Sequence, residues 1–259
     1  MNVPAYLERI GYHGPLIPCA ETLRALHVAH LYSVPFENLD IGLGRPLSLE
    51  LPALFDKIVT RRRGGFCYEL NGLFGSLLES LGYSVTYLSA RVFSPDGSLG
   101  PEFDHLTLWV ECPADGRAGE RWLADVGFGE WSMEPLRLEP GVEDTQGQRA
   151  CWLAERDGGW DYWHRQPGAA PERQYTFTLQ PRQFPADFES MCRYQQTSPE
   201  SHFTQHRVCT LATPGGRITV SDRRYVVTEH GQRRETAIDD NEFWRIARTH
   251  FGVNIDRTA

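Results

Sequence analysis

The segment Arg63-Gly64-Gly65-Phe66-Cys67-Tyr68-Glu69-Leu70-Asn71-Gly72 constrains this chain more than any other. Downstream of it, apolar residues recur at Leu70, Leu73, Phe74, Leu77, Leu78 and Leu81, the spacing of one helix face, and Gly82 stops the run. The spacing predicts a helix with Cys67 in its first turn. Unpaired backbone N–H groups and the positive end of the helix dipole gather there, and both favour thiolate over thiol. The thiolate is the reactive form of cysteine. Two glycines ahead of it allow a tight turn and leave the sulfur open to a substrate. This is the setting of a nucleophile, so the remaining question is what partners it has.

The bulk properties narrow the class. A chain of 259 residues with 41% apolar content can bury a substantial core, as one large domain or two to three smaller ones. A net charge of −8 argues against general nucleic-acid binding, which needs a basic face. The start, Met1-Asn2-Val3-Pro4-Ala5-Tyr6-Leu7-Glu8-Arg9, lacks a basic segment followed by an apolar one, so no signal peptide is expected. No apolar run reaches the length of a membrane span. Cys19, Cys67, Cys112, Cys151, Cys192 and Cys209 are widely spaced without a C-x-x-C pair, which argues against zinc and against a disulfide scaffold. The expectation is a cytoplasmic protein with reduced thiols and no metal.

The chain changes character along its length. Residues 1–85 read as helices: Thr22 to Tyr32 carries a helical face and ends before Pro35, Pro52 to Val59 is a short helix, and the Cys67 helix follows. Ser84 to Phe93, His105 to Cys112, Trp122 to Val126 and Gln174 to Gln180 read as strands between Pro, Gly and Asp clusters. Residues 141–171 read as a long irregular excursion. Short strands over 208–212, 218–220 and 225–228 precede a final helix from Asp240 to Phe251, capped by Asp239 or Asp240 and stopped by Gly252.

A cysteine nucleophile needs a base, and the base needs an orienting group. Asp104-His105-Leu106 places His105 at the start of one predicted strand. Asp125-Val126-Gly127-Phe128-Gly129 places Asp125 at the end of another. Strand ends beside loops commonly display catalytic side chains. His105 would take the Cys67 proton and Asp125 would hold the ring. With six cysteines and nine histidines, the same residues also fit an inert buried thiol and an ordinary surface histidine.

The chain resembles the arylamine N-acetyltransferases. The matching motifs, in order, are Tyr6-Leu7-Glu8-Arg9-Ile10-Gly11-Tyr12, Leu26-His27 with His30, Pro35-Phe36-Glu37-Asn38-Leu39-Asp40, Arg63-Gly64-Gly65-Phe66-Cys67-Tyr68-Glu69, Asp104-His105-Leu106 and Asp125-Val126-Gly127-Phe128-Gly129. Beyond residue 130 the likeness rests on Ser201-His202-Phe203-Thr204, Thr213-Pro214-Gly215-Gly216 and Phe251-Gly252-Val253. The resemblance implies an α+β fold with a cysteine-protease-like catalytic core. A helical bundle (1–85) is followed by a β-barrel (86–190) and an α/β lid (191–259). It implies a Cys67–His105–Asp125 triad that passes an acetyl group from acetyl-CoA, through an acetyl-cysteine, to arylamines, arylhydrazines or N-hydroxyarylamines. By the same resemblance Phe36, Phe128 and Phe203 line the acceptor pocket, although each fits a core phenylalanine equally well. Gly127, Gly129 and Thr213 are the implied CoA contacts. Longer members of the family continue past Phe251-Gly252-Val253, and the resemblance leaves open which CoA contacts a carboxyl-terminal tail would supply.

Other readings use the same residues. A papain- or transglutaminase-like amide hydrolase shares the order Cys, His, Asp, but has no use for Pro35-Phe36-Glu37-Asn38-Leu39-Asp40. A biosynthetic relative would use a larger acyl thioester or close a macrolactam. A silent CoA-binding module would not need Cys67, His105 and Asp125 together. Glu37 and Arg63 are read as a structural ion pair supporting the Cys67 loop. His27 with His30, and His202 with His206, are read as ordinary histidines. Arg223-Arg224 and Arg233-Arg234 are read as solvated surface with a phosphate contact as the alternative.

Overall fold

A computed structural model describes all residues except 114–118, 130–131, 147–148 and 256–259. The amino-terminal part holds α1 (Val3–Ile10), α2 (Ala20–Ser33), a two-residue strand β1 (Phe36–Glu37), α3 (Leu39–Gly42), α4 (Leu51–Phe55) and α5 (Cys67–Ser80). A wide π-type turn, Asp56–Thr60, continues directly from α4. The helix predicted from the apolar spacing is α5, and Cys67 is its first residue. Every residue from Cys67 to Leu78 is buried, so this helix is packed on all sides rather than on one stripe.

The central strands are β2 (Ser84–Val92), β3 (His105–Glu111), β4 (Arg121–Ala124), β5 (Leu136–Arg137), β6 (Asp144–Gln146), β7 (Arg149–Arg156), β8 (Gly159–Arg165) and β9 (Glu172–Phe177). They form one antiparallel, barrel-like sheet in the order β5-β4-β3-β2-β9-β8-β7-β6. Two cores meet on it. On one side Leu70, Phe74, Leu77 and Leu78 of α5 pack with Leu108, Val110, Ala124 and Val126. On the other, Leu88, Leu123, Leu153, Tyr162, Tyr175 and Phe177 fill the interior of the curved sheet.

Residues 141–171 correct the sequence reading. The supposed excursion contains β6, β7 and β8. Asp157 and Gly158, both at positive φ (43° and 79°), make the two-residue hairpin turn between β7 and β8. Cys151 and Leu153 face inward, while Trp152 and Trp163 stack outside with ring centroids 6.1 Å apart. Outward tryptophans among charged residues disguised the alternation.

The carboxyl-terminal part holds α6 (Glu189–Thr197), α7 (His202–Gln205), β10 (Val208–Thr213), β11 (Gly216–Ser221), β12 (Arg224–Glu229), β13 (Gln232–Ala237) and α8 (Asp240–Phe251). The second sheet runs β1-β10-β11-β12-β13, so Phe36 and Glu37 pair with Thr210 and Cys209 across most of the chain. Phe243, Ile246, Ala247 and Phe251 of α8 pack with Cys209 and Val220 of this sheet. Asp239 caps α8 by accepting from the Glu242 N–H (2.8 Å), and Gly252 closes it in the left-handed conformation, as the sequence implied. Among the described residues no helix is long and apolar enough to cross a membrane.

Candidate active site

The head of α5 is held by buried charges. Glu69, in its first turn, accepts from the Phe66 N–H (3.1 Å) and from Lys57 Nζ (2.8 Å). Lys57 also pairs with Asp40 (2.9 Å), and Arg63 donates to Glu37 (2.6 Å) and to Asp40 (3.1 Å). Glu37, Arg63 and Glu69 are almost wholly buried, so these five charges form one paired network beneath the Gly64-Gly65 turn. The turn requires glycine: a Cβ on Gly64 would collide with the Pro35 carbonyl oxygen. Glu37 and Arg63 are structural, as the sequence reading held, and Asp40, Lys57 and Glu69 complete the support.

Cys67 opens α5 against the start of β3. Burial pushes its thiol well above the usual range, while a backbone hydrogen bond from Leu106 pulls the other way. Desolvation thus acts against the thiolate that the helix terminus favours. A lone thiolate is disfavoured here, and a negative sulfur needs a nearby cation.

His105 is the first residue of β3, and Asp125 lies one residue past the end of β4. Asp125 Oδ2 accepts from His105 Nε2 at 2.6 Å. Asp125 is fully buried. Burial alone would raise its carboxyl, but the charge of His105 and hydrogen bonds from His105, Asn71 and Gly127 more than reverse this, and it is held below the usual carboxylate range. An ionised Asp125 makes Nε2 the donor and leaves His105 Nδ1 free to accept a proton. The Asp125–Gly129 turn presses on the head of α5: a Cβ on Gly127 would lie 2.8 Å from Cys67 Cα and 2.7 Å from Asn71 Nδ2.

Three further side chains fix this arrangement, and sequence reasoning missed all of them. Asn71, one turn after Cys67, donates to Leu106 O (2.6 Å) and Asp125 Oδ1 (2.8 Å) and accepts from Val126 N–H (2.9 Å). Its position four residues along the same helix face was the available signal. Tyr175 OH donates to Asp125 Oδ2 (3.0 Å). His27 Nε2 accepts from the Asp125 N–H (3.2 Å), and its Nδ1–H donates to Met133 O (3.0 Å). Burial holds His27 neutral, with its pKa lowered to about 4, which suits the acceptor role.

The predicted acceptor phenylalanines fall in two groups, all half-buried. Phe36 and Phe203 face each other at 6.3 Å, and Phe203 packs edge-on to Phe66 at 5.6 Å. Phe128 stands edge-on to His105 (5.1 Å) and to Tyr175 (5.1 Å). Of the predicted CoA contacts, Gly127 is packed against α5 and spends its N–H on Asp125 Oδ1 (2.9 Å). Gly129 faces Thr210 and Phe36 across the gap to the second sheet, with contacts of 3.8 and 3.9 Å from a built Cβ. Thr213 lines a cleft of about 1140 Å³ between the two sheets, where Arg149, Arg217, Arg224 and Arg233 also lie.

The His105–Asp125 pair thus sits on a turn packed against buried Cys67 at the head of α5. Comparison with known proteins gives the family. The family described as N-acetyltransferase matches residues 20–259. The arylamine N-acetyltransferase of Mycolicibacterium smegmatis is 39% identical, over 92% of this chain and 86% of that protein. Arylamine N-acetyltransferase 2 of Mus musculus is 34% identical over 99% and 96%. The chain belongs to the arylamine N-acetyltransferase family of acyltransferases. Solved structures of the family agree: the M. smegmatis structure superposes with a TM-score of 0.90 at 36% identity, covering 98% of this chain and 93% of the other. The Mycobacterium marinum arylamine N-acetyltransferase solved in complex with CoA gives 0.90 at 31% identity, covering 99% and 96%.

Proposed function

We propose that this protein transfers an acetyl group from acetyl-CoA to the nitrogen of arylamines and arylhydrazines, or to the oxygen of N-hydroxyarylamines, in two half-reactions through an acetylated Cys67. The observation that carries this reading is the 2.6 Å contact of His105 with a buried, ionised Asp125 in the turn packed on Cys67.

In the first half-reaction His105 Nδ1 takes the Cys67 proton. The thiolate attacks the thioester carbonyl carbon, the carbon–sulfur bond to CoA breaks, and the imidazolium returns the proton to the CoA sulfur. In the second, the amine nitrogen attacks the acetyl carbon, His105 takes a proton from that nitrogen, and the Cys67 sulfur leaves and is reprotonated. The raised thiol suits this sequence: buried sulfur becomes negative only as the neighbouring ring becomes positive, and it departs readily once the ring can return a proton. The Phe66 N–H is spent on Glu69, so the Cys67 N–H is the donor this reading assigns to the tetrahedral oxyanion.

The M. marinum relative bound to CoA supports CoA as the acyl carrier. In this chain the cleft lined by Thr213, Arg217, Arg224 and Arg233 is the place for its phosphates. Phe36 and Phe203, beside Cys67, are the expected wall for a flat acceptor.

Intact-protein mass spectrometry after incubation with acetyl-CoA and no amine tests the reading. A gain of one acetyl group, absent in Cys67→Ala and discharged by an added arylamine, is the expected result. An adduct formed only from longer acyl thioesters would move the donor. An acetyl group retained by Cys67→Ala, or no adduct with any thioester, would overturn the mechanism.

A further inference from the structure

In the segment Pro35-Phe36-Glu37-Asn38-Leu39-Asp40, Glu37 and Asp40 belong to the charge network beneath Cys67, and Phe36 faces Phe203. Asn38 does neither. It is almost wholly buried, and its whole amide is spent on one stretch of the carboxyl-terminal part. Nδ2 donates to the Phe203 carbonyl (3.1 Å) and to the His206 carbonyl (2.7 Å), and Oδ1 accepts from the Val208 N–H (2.8 Å). The Asn38 N–H also donates to the Val208 carbonyl (3.3 Å), so these bonds extend the pairing of β1 with β10 into the turn that carries α7.

Phe36 and Phe203 are held by different means. Phe36 is fixed by its main chain. It pairs with Thr210 of β10 on one side and bridges to Gly65 on the other, and the Glu37 N–H donates to the Gly65 carbonyl (2.8 Å), in the turn just before Cys67. Phe203 sits in α7, a helix of four residues, which is too short to satisfy its own last carbonyls. Its backbone is held from outside at both ends: Ser201 Oγ accepts from the Phe203 N–H (3.2 Å), and Asn38 takes the Phe203 carbonyl. The ring so placed packs on Phe36 and, edge-on, on Phe66. Phe66 is fully buried, whereas Phe36 and Phe203 are half-buried and both lie against the cluster that contains Cys67. Phe36 also lies 3.9 Å from a Cβ built on Gly129, in the turn that carries Asp125 and Phe128. The two rings are therefore the apolar surface left over between the nucleophile, its partners and the second sheet, and the place of one of them depends on a single amide.

We propose that Asn38 is a positioning residue for the acceptor: by holding the Phe203 and His206 carbonyls and the Val208 N–H it keeps the Phe203 ring opposite Phe36, and so favours flat aromatic nucleophiles over small non-aromatic ones in the second half-reaction. This rests on the acyl-transfer reading above. A contact between aromatic rings is worth about 0.5–1.5 kcal/mol, and it is lost when one ring swings away.

The test discharges acetylated protein with p-toluidine and, separately, with hydrazine, which has no ring to place. The readout is the ratio of the two second-order rate constants, which cancels any general loss of fold or of Cys67 chemistry. Asn38→Asp keeps the acceptor for the Val208 N–H but loses both donors, and Asn38→Ala loses all three bonds. Each should lower the p-toluidine to hydrazine ratio by about tenfold. Phe203→Ala leaves every Asn38 bond in place, because Asn38 touches only main chain there, and should lower the ratio by a similar factor. Adding Asn38→Asp to Phe203→Ala should lower it no further, since both changes act through one ring. A ratio that stays within about twofold of the unaltered protein in Asn38→Asp or in Phe203→Ala, or losses that simply multiply in the double variant, would overturn the proposal. If the Asn38 variants do not fold, Phe203→Ala alone still decides against it when its ratio is unchanged. Failure of the parent reading is separable, because it shows as no acetyl-Cys67 in the unaltered protein before any nucleophile is added.

Discussion

Asn71 shows how much of the site depends on one uncharged side chain. Fully buried, it joins three elements: its amide holds the Leu106 carbonyl of β3 and the Asp125 carboxylate, and its oxygen takes the Val126 N–H. Asn71→Ala would strand a buried carbonyl and a buried N–H and remove a donor from Asp125. Each unsatisfied buried group costs about 1–3 kcal/mol, so a loss of about 3 kcal/mol in urea denaturation is expected. Acetylation of Cys67, followed by intact mass, should slow by at least about tenfold, since a misplaced orienting group costs catalysis on that scale or more. Wild-type stability together with wild-type acetylation in this variant would remove Asn71 from the positioning role. Residues of this kind are the hardest to read from sequence. Cys67, His105 and Asp125 stand out because their chemistry is rare and their motifs are local. Asn71 could be found only by asking what shares a helix face with Cys67, and Tyr175, fifty residues beyond Asp125, carried no local signal at all.

At the scale of elements, the legible ones were those whose boundaries are set by neighbours in sequence. The two ends of α8 follow from Asp239 and Gly252, and the start of α5 from the glycines before it. β13 was missed because all six of its residues are exposed, leaving no alternation to see. The pairing of β1 with β10 was invisible because a two-residue strand has no pattern and its partner lies far along the chain. The same distance effect applies to the network under α5, of which only Glu37 and Arg63 could be anticipated. Lys57 lies in the π-type turn after α4 and bridges Asp40 and Glu69. Burial alone would lower its ammonium, but Glu69, Glu37 and Asp40 outweigh that and raise it. Lys57→Met would leave both carboxylates short of a partner. Removing one member of a buried ion pair costs about 3–5 kcal/mol, which denaturant melts would register. Adding Glu69→Gln should recover part of the loss, because the two changes touch one interaction. A loss under about 1 kcal/mol in Lys57→Met would show the network to be passive.

Across the whole molecule, the helical part, the barrel-like sheet and the second sheet meet around Cys67, and the joint between the first two carries buried histidines. His27 lies wholly inside it, and His30, also fully buried, packs against Tyr6 of α1 and Phe74 of α5. His27 holds the Asp125 N–H, and His30 Nδ1 shares a hydrogen bond with the Tyr6 hydroxyl at 2.9 Å. Burial lowers the pKa of His27 to about 4 and that of His30 well below its ordinary value. The sign follows from linkage: between about pH 6.5, where an unfolded histidine protonates, and the lower folded value, the unfolded chain binds more protons. Stability contributed by the neutral rings is therefore complete above that window and is lost as the pH falls through it. Asp125 and Asp40, both held low, begin to weaken the fold only below the ordinary carboxylate range. Glu69 and Asp104, raised by burial, act in the opposite sense near the bottom of the window. Between about pH 7 and pH 5 the histidines dominate, and His27 alone should remove about 2 kcal/mol from the unfolding free energy. Urea denaturation at the two pH values measures the slope. His27→Leu should lower stability at neutral pH, because the Asp125 N–H loses its acceptor, yet flatten the dependence on pH. An unchanged slope in that variant would mean that His27 is protonated in the folded protein, and the neutral-acceptor role assigned to it beneath Asp125 would fall.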